Sequence, residues 1–215
     1  MDITLEQLFE AVAQFNEMLF PAQWAAMIIA IAAVVFVFIK KTFSNALIIG
    51  VAILFFLLSA LAFWLPAGIQ GYNNGYLYTA LFLMQAVFLL SAGVEDELHF
   101  KFEAKAISII GFLVVIYALI GYPLVGLAIG RSYPALIFSP LFPCPLNIWL
   151  MGMLLMTEKP VPRYTLILPF IWGLIGIMWT ALGVTEDIAV ILINLVGPAI
   201  LVYRDRGKYH HLHYP

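Results

Sequence analysis

Residues 40–65 read KKTFSNALIIGVAILFFLLSALAFWL, in which two lysines lead into a long apolar run without a charged residue. About 20 apolar residues in a helix cross a hydrocarbon layer roughly 30 Å thick. Such runs recur along the chain, at 21–39, 45–65, 75–93, 106–129, 134–157, 164–183 and 187–203. The sequence therefore predicts an all-α, polytopic membrane helical bundle with seven transmembrane spans.

The basic residues predict how this bundle is oriented. When the spans are threaded alternately, the loops on one side hold Lys40, Lys41, Lys101, Lys105, Lys159, Arg163, Arg204, Arg206 and Lys208, and Arg131 is left on the other side. Lysine and arginine accumulate in cytoplasmic loops. We therefore expect the N-terminus outside and the C-terminus inside (N-out/C-in).

Composition excludes several classes of protein. The chain is 64% hydrophobic and 10% charged, whereas soluble domains are about 25% charged, so the lipid bilayer is its expected surroundings. No basic stripe is present for nucleic acid. The single cysteine, Cys144, allows no intrachain disulfide and no multi-cysteine metal site. We predict no metal, no cofactor and no catalytic residue.

The chain divides into three parts: an amphipathic interfacial helix at 1–20, the seven-span domain at 21–203, and a basic cytoplasmic tail at 204–215. Thr4 and Gln7 have the spacing of a capping box, which marks the start of the first helix. Asn16 falls inside the apolar arc of this helix. It either makes a structural hydrogen bond that fixes the turn into Pro21, or lines an outer vestibule.

The fifth apolar run is interrupted by Pro134, Pro140, Pro143 and Pro145. Proline removes a helical hydrogen bond, so no regular helix is expected before about residue 145. The remaining 145–157 would rise only about 20 Å, which is too short to cross the membrane. Residues 134–144 should then enter as a Pro-broken or re-entrant segment. Because non-helical backbone at that depth must be buried in protein or line a wet cavity, we predict an outward-facing cavity beside 134–147.

Six residues are candidates for binding a ligand there: Cys144, Asn147, Asn16, Arg131, Gln85 and Asn194. At a helix start, the dipole would favour the thiolate of Cys144, although a free cysteine is commonly a small buried hydrophobe. Arg131 could form a salt bridge with Glu186, Asp187 or an acid of the first helix, or meet an anionic ligand. Gln85 and Asn194 could be interhelical hydrogen-bonding groups or ligand contacts. Thr185-Glu186-Asp187 has the composition of an N-cap with an acidic first turn.

Short motifs along nearly the whole chain support a family resemblance: Thr4-Leu5-Glu6-Gln7, Phe15-Asn16 before Pro21-Ala22-Gln23, Tyr122-Pro123-Leu124, Gly130-Arg131-Ser132-Tyr133-Pro134, Pro143-Cys144-Pro145 and Glu186-Asp187. Their order and spacing resemble an uncharacterised family of bacterial multi-pass inner-membrane proteins, a domain of unknown function. The resemblance implies the bacterial inner (plasma) membrane as the location. It implies no activity and no catalytic residues.

Two classes of function stay open. The first is a protein that binds or transports a small molecule or ion, because broken spans in transporters place helix starts and free backbone groups at the ligand. The second is a non-catalytic subunit or assembly partner of a membrane complex, or a homo-oligomer. An enzyme is less favoured, because no acid–base pair with a nucleophile lies at depth. A proton-relay pump is disfavoured, since the interior of the spans holds no ionisable residue.

The threading predicts that residue 73 and residue 208 lie on opposite sides of the membrane. In a Cys144→Ser background, Asn73→Cys should react with an impermeant thiol reagent added outside, and Lys208→Cys only after the membrane is opened. Reaction of both from the same side would contradict the seven-span topology.

Overall fold

The structure is a computed structural model that describes residues 4–39, 41 and 43–206. Within these residues the fold is all-α, with one isolated bridge between Phe100 and Thr157. Its eight helices are α1 (Leu5–Leu19), α2 (Ala22–Phe38), α3 (Ser44–Ile69), α4 (Asn74–Val94), α5 (Ala106–Ala128), α6 (Pro143–Leu155), α7 (Arg163–Ala181) and α8 (Thr185–Arg204).

Five of these helices, α3, α4, α5, α7 and α8, are long and apolar enough to cross a membrane. The helices α1 and α2 meet at a bend of 86°, and counting this pair as one span raises the number to six among the described residues. The helix α6 has 13 residues and is shorter than a span. The prediction of an all-α chain with apolar spans is therefore confirmed in this coarser form, and the number seven stays a prediction.

The short helix α6 is the centre of the bundle, because every one of its residues is buried. It packs closely on α5 at a pair of glycines. A Cβ atom on Gly152 would lie 2.7 Å from the carbonyl oxygen of Gly111, and the reverse distance is also 2.7 Å. Small residues at such a crossing let two backbones approach each other. The glycines therefore set the distance between α5 and α6.

The start of α6 differs from the prediction. The helix begins at Pro143, after Phe142 as N-cap, and not at about residue 145. Both Pro143 and Pro145 lie in the first turn, where backbone N–H groups have no partner within the helix, so proline costs no hydrogen bond there. Cys144 is consequently inside the first turn. Residues 129–142 are non-helical, and their second half is largely buried in protein.

The start of α1 and its buried face agree with the prediction from the sequence. Thr4 and Gln7 form the reciprocal capping box, and Leu8, Val12 and Phe15 are buried together with Asn16. The predicted interfacial position of α1 and the division into three parts remain predictions. Residues 1–3 and 207–215, and therefore Lys208 and most of the predicted tail, lie outside the described residues, as does Lys40.

Replacement of Gly152 by alanine should destabilise the protein, because the added Cβ meets backbone atoms that cannot move aside. We expect Gly152→Ala to lower the free energy of unfolding by about 1–3 kcal/mol, the range for overpacked cores. Gly50→Ala is the matched control, because a Cβ on that exposed helical glycine meets nothing within 4 Å. It should be neutral or stabilise by up to about 1 kcal/mol. Thermal unfolding in mild detergent measures both, and equal effects would contradict the close contact.

Candidate functional site

The buried carboxylate of Asp187 joins three helices at one end of the bundle. Tyr122 of α5 donates its hydroxyl hydrogen to Oδ1 at 2.6 Å, and Cys144 of α6 donates its thiol hydrogen to Oδ2 at 3.3 Å. Asp187 itself lies in the first turn of α8 and is 1% exposed. The thiol is thus a hydrogen-bond donor to a carboxylate, which is the role of the protonated form and not of the predicted thiolate.

The neighbouring Glu186 carries the salt bridge predicted for Arg131. Arg131 donates from Nε and Nη2 to the two carboxylate oxygens of Glu186, and from Nη2 to the carbonyl of Gly183 at 3.1 Å. Its guanidinium also lies over the ring of Phe9 in α1, 3.6 Å from the centroid. These contacts occupy Arg131 and tie α1 to the start of α8.

Glu186 and Asp187 lie in the first turn of α8, as predicted, but the N-cap residue is Val184 and not Thr185. Thr185–Asp187 form a 3-10 turn at the start of α8 with no side-chain capping bond, and both acids are buried. Buried carboxylates need partners because leaving water is costly. Glu186 has a guanidinium, whereas Asp187 has no ion pair within 4 Å among the described residues. The site therefore holds two carboxylates and one cation.

A small cavity lies beside Asp187. Its volume is about 30 Å³, which is room for about one water molecule or an ion of similar size. Its walls come from α1, α3, the non-helical segment, α6, α7 and the start of α8, through Leu8, Val12, Phe63, Trp64, Ile137, Phe142, Pro143, Cys144, Trp172, Trp179, Val184 and Asp187. Asp187 is the single charged group in this lining.

Three tryptophans form much of the cavity wall. The ring centroid of Trp64 lies 5.7 Å from that of Trp172 and 6.3 Å from that of Trp179. The indole N–H groups of Trp64 and Trp172 are buried and have no hydrogen-bond acceptor among the residues that the structure describes. The faces of such rings attract cations, while the free N–H groups can donate to water. The cavity thus offers a negative charge, ring faces and unused donors to a small occupant.

Of the six predicted site residues, only Cys144 lines this cavity. Asn16 instead donates to the carbonyls of Pro134 and Leu136 at 2.6 and 2.8 Å. These bonds satisfy backbone groups of the non-helical segment, 118 and 120 residues away in sequence. Asn16 therefore has a structural role. Its amide nitrogen holds the non-helical segment, and its side-chain oxygen accepts from Nε2 of Gln23 at 3.2 Å, across the turn at Pro21, in agreement with the predicted structural hydrogen bond.

The other three predicted site residues with amide side chains, Gln85, Asn147 and Asn194, are also buried. Gln85 and Asn194 are both fully buried, so both side chains face the interior of the bundle. Gln85 donates to the carbonyl of Thr165 at 2.9 Å, and Asn147 donates to that of Pro143 at 2.9 Å. Within the described part of the chain, both side-chain polar atoms of Asn194 and Oδ1 of Asn147 have no hydrogen-bond partner.

Asn147 and Asn194 share the interface between α6 and α8. A Cβ on Gly197 would lie 2.7 Å from the Met151 side chain, which places these two residues face to face. Asn147 precedes Met151 by four positions and Asn194 precedes Gly197 by three, so each lies on the contacting face of its helix. The interface therefore has a second polar level at Asn147 and Asn194, on the cavity side of the contact of Met151 with Gly197.

Sequence reasoning missed Asp187, Tyr122 and the tryptophans as parts of one site. The useful signal was the adjacent Glu186-Asp187 pair, for which the sequence offered a single nearby cation, Arg131, so that one acid is left without a charge partner. Among the residues described, no group of three His, Cys, Asp or Glu side chains could hold a metal ion.

The model of a family of unknown function, DUF6064, matches residues 5–211, and the chain belongs to that family. This match confirms the resemblance to an uncharacterised family. Comparisons with curated proteins and with solved structures gave no match.

Loss of the Asn16 amide should leave two carbonyls of the non-helical segment without donors. We expect Asn16→Ala to lower the free energy of unfolding by about 1–3 kcal/mol, the cost of unsatisfied buried polar groups. Gln14→Ala, on the exposed face of the same helix, should change stability by less than about 0.5 kcal/mol. Thermal unfolding of both variants in detergent is the measurement. Equal stability of Asn16→Ala and the unchanged protein would show that these bonds do not hold the segment.

Proposed function

We propose that this member of the DUF6064 family is a multi-pass membrane protein that binds a small cation in the cavity beside Asp187. The proposal rests on the excess negative charge of the site. Two buried carboxylates, Glu186 and Asp187, share one guanidinium, that of Arg131. A buried charge without a partner is strongly unfavourable. A cation bound at Asp187 would balance the charge of its carboxylate.

The walls of the cavity support a cation more than a neutral or anionic solute. An anion would be repelled by Asp187, the single charged group in the lining. Indole faces attract cations by up to about 2 kcal/mol when water is excluded, and three tryptophans line the space. The volume of about 30 Å³ limits the occupant to an ion the size of ammonium, sodium or potassium, with no complete hydration shell.

We further propose that the chain crosses a bacterial inner membrane seven times with its N-terminus outside. In this arrangement α2 is the first span, and residues 129–142 with α6 form the broken fifth span. The cavity then opens toward the outer side, next to 134–147. The charge distribution of the loops supports this orientation. The buried lead-in to α6 supports a broken span, because its non-helical backbone is enclosed by protein.

Transport is supported by the second polar level at Asn147 and Asn194. These amides have unused polar atoms one turn beyond Cys144 along the interface of α6 and α8. They could receive an ion that leaves Asp187. The contact of Met151 with Gly197 closes the interface beyond them, so a passage would require α6 and α8 to move relative to each other.

Cation-dependent thermal stability tests the proposal. The purified protein is unfolded in mild detergent in ammonium, potassium or sodium chloride, with N-methylglucamine chloride, whose cation is too large for the cavity, keeping ionic strength constant. At a hundredfold excess over Kd, a bound ion stabilises by about 2.7 kcal/mol, or about 5–10 °C in Tm for a chain of this size. At least one small cation should raise Tm with saturation.

Three variants separate binding at the site from general effects of salt on stability. Asp187→Asn should abolish the cation-dependent rise in Tm, whereas Glu17→Gln, which removes an exposed acid of α1, should retain it. Trp179→Leu keeps the carboxylate and should shift saturation to higher concentration. The same Tm in all four salts, or an unchanged rise in Asp187→Asn, would refute cation binding and would indicate that a proton or water completes the site.

A further inference from the structure

A second recess lies between α1 and the C-terminal part of α3. Its volume is about 80 Å³, which is room for a few water molecules. The residues that matter for its shape are Gln14, Phe15 and Met18 of α1, with Phe63, Ala67 and Gln70 at the end of α3. Gln14, Met18 and Gln70 are exposed, so the recess opens at the surface of the protein. We refer to it as the α1/α3 recess.

The cavity beside Asp187 is shut off from this recess by side chains. Every residue in the lining of the cavity is buried, so an ion can reach Asp187 only when some of them move. Phe63 belongs to the linings of both the cavity and the recess. At this point the two spaces are therefore separated by a single side chain.

Three phenylalanine rings meet between the recess and the cavity. The ring centroid of Phe63 lies 5.2 Å from that of Phe15 and 5.6 Å from that of Phe142, and the centroids of Phe15 and Phe142 are 4.9 Å apart. Phe15 lines the recess, whereas Phe142 lines the cavity. Each ring thus comes from a different part of the fold, and together they close the shortest path between the two spaces.

Rotation of a side chain is the smallest movement that would open this path. The helix α1 is anchored beside Phe15, because Asn16 donates to the carbonyls of Pro134 and Leu136. Phe63 lies in a π-helical turn of α3, Ser59–Trp64. Such turns are rare and occur frequently at functional sites. We therefore expect the Phe63 side chain, and not α1 as a whole, to move.

The charges beside the recess favour cations over anions. Gln14 lies between Glu10 and Glu17 on the exposed face of α1, at the spacings that bring helical side chains together. The sequence of α1 contains no basic residue. A negative surface raises the local concentration of cations, and the amide oxygens of Gln14 and Gln70 are of the kind that bind hard cations.

We propose that a small cation enters the cavity beside Asp187 from the α1/α3 recess by passing Phe63, whose side chain is the gate. This inference rests on the proposed function, because it concerns the route to the same site. Phe15 and Phe142 hold the Phe63 ring in the closed position. Removal of this ring should open the path and leave the Asp187 carboxylate in place.

The reaction of Cys144 with silver ion tests the route. Silver is a monovalent cation close in size to sodium and potassium, and Cys144 is the single cysteine and lines the cavity. The ion replaces the thiol proton, which passes to the buffer. The protein in mild detergent is treated with silver nitrate for increasing times, and excess silver is then precipitated with chloride. The remaining free thiol is titrated with a maleimide after unfolding.

Phe63→Ala should accelerate the loss of the free thiol by about tenfold or more, because a buried group reacts through local opening and the variant makes this opening easier. Phe56→Ala is the matched control, since Phe56 is also a buried phenylalanine of α3 but lines neither space. It shows how much of the rate comes from lost stability alone. Equal rates for the two variants would overturn the proposal.

A second pair of variants narrows the entrance and leaves the gate unchanged. Ala67→Phe places a ring in the recess and should slow the reaction of Cys144, whereas Ala32→Phe, at an exposed alanine of α2, should not. This pair decides the question even if Phe63→Ala fails to fold, and an unaltered rate in Ala67→Phe would show that the route is wrong. The reaction with silver does not require binding at Asp187, so failure of the route is distinguished from failure of cation binding, which the Tm measurements detect.

Discussion

The hydrogen bonds to the Asp187 carboxylate hold together the end of the bundle where the candidate site lies. Through Tyr122 and Cys144 they connect α8 to α5 and α6, and the adjacent Glu186 binds Arg131, whose guanidinium covers Phe9 of α1. A carboxylate in an apolar interior is tolerated only when its oxygens are hydrogen-bonded or its charge is balanced. This constraint places the two donors, and with them the walls of the cavity, around one side chain.

The need to satisfy buried polar groups also shapes residues 129–142, the non-helical segment before α6. Residues 129–142 form no regular helix, yet the second half of the segment is buried, so its carbonyls need donors from elsewhere in the chain. Asn16 supplies two such bonds, and the backbone carbonyl and side-chain oxygen of Asn16 accept in turn from Gln23. The bend between α1 and α2 brings these side chains over the segment. A short central helix is possible because its lead-in is bonded to the first helix.

The helix α8 connects the candidate site with the interior of the bundle. Its first turn carries Asp187, and its buried face continues through Asn194 to Gly197. A shift of α8 against α6 at the contact of Gly197 with Met151 would change the polar interface between these two helices.

The sequence by itself determined the features that depend on local pattern: helices long and apolar enough to span a membrane, the capping box at Thr4, and the acids that could pair with Arg131. It did not determine which side chains meet. The spanning helices are apolar on all sides, so they lack the polar and apolar faces from which an inward direction is read. The bond from Asn16 to Pro134 joins residues 118 positions apart, and the acids at 186–187 look like an exposed helix start. Only tertiary packing decided that Asp187 is buried beside Cys144, because burial there depends on α1, α3 and α7 closing over it.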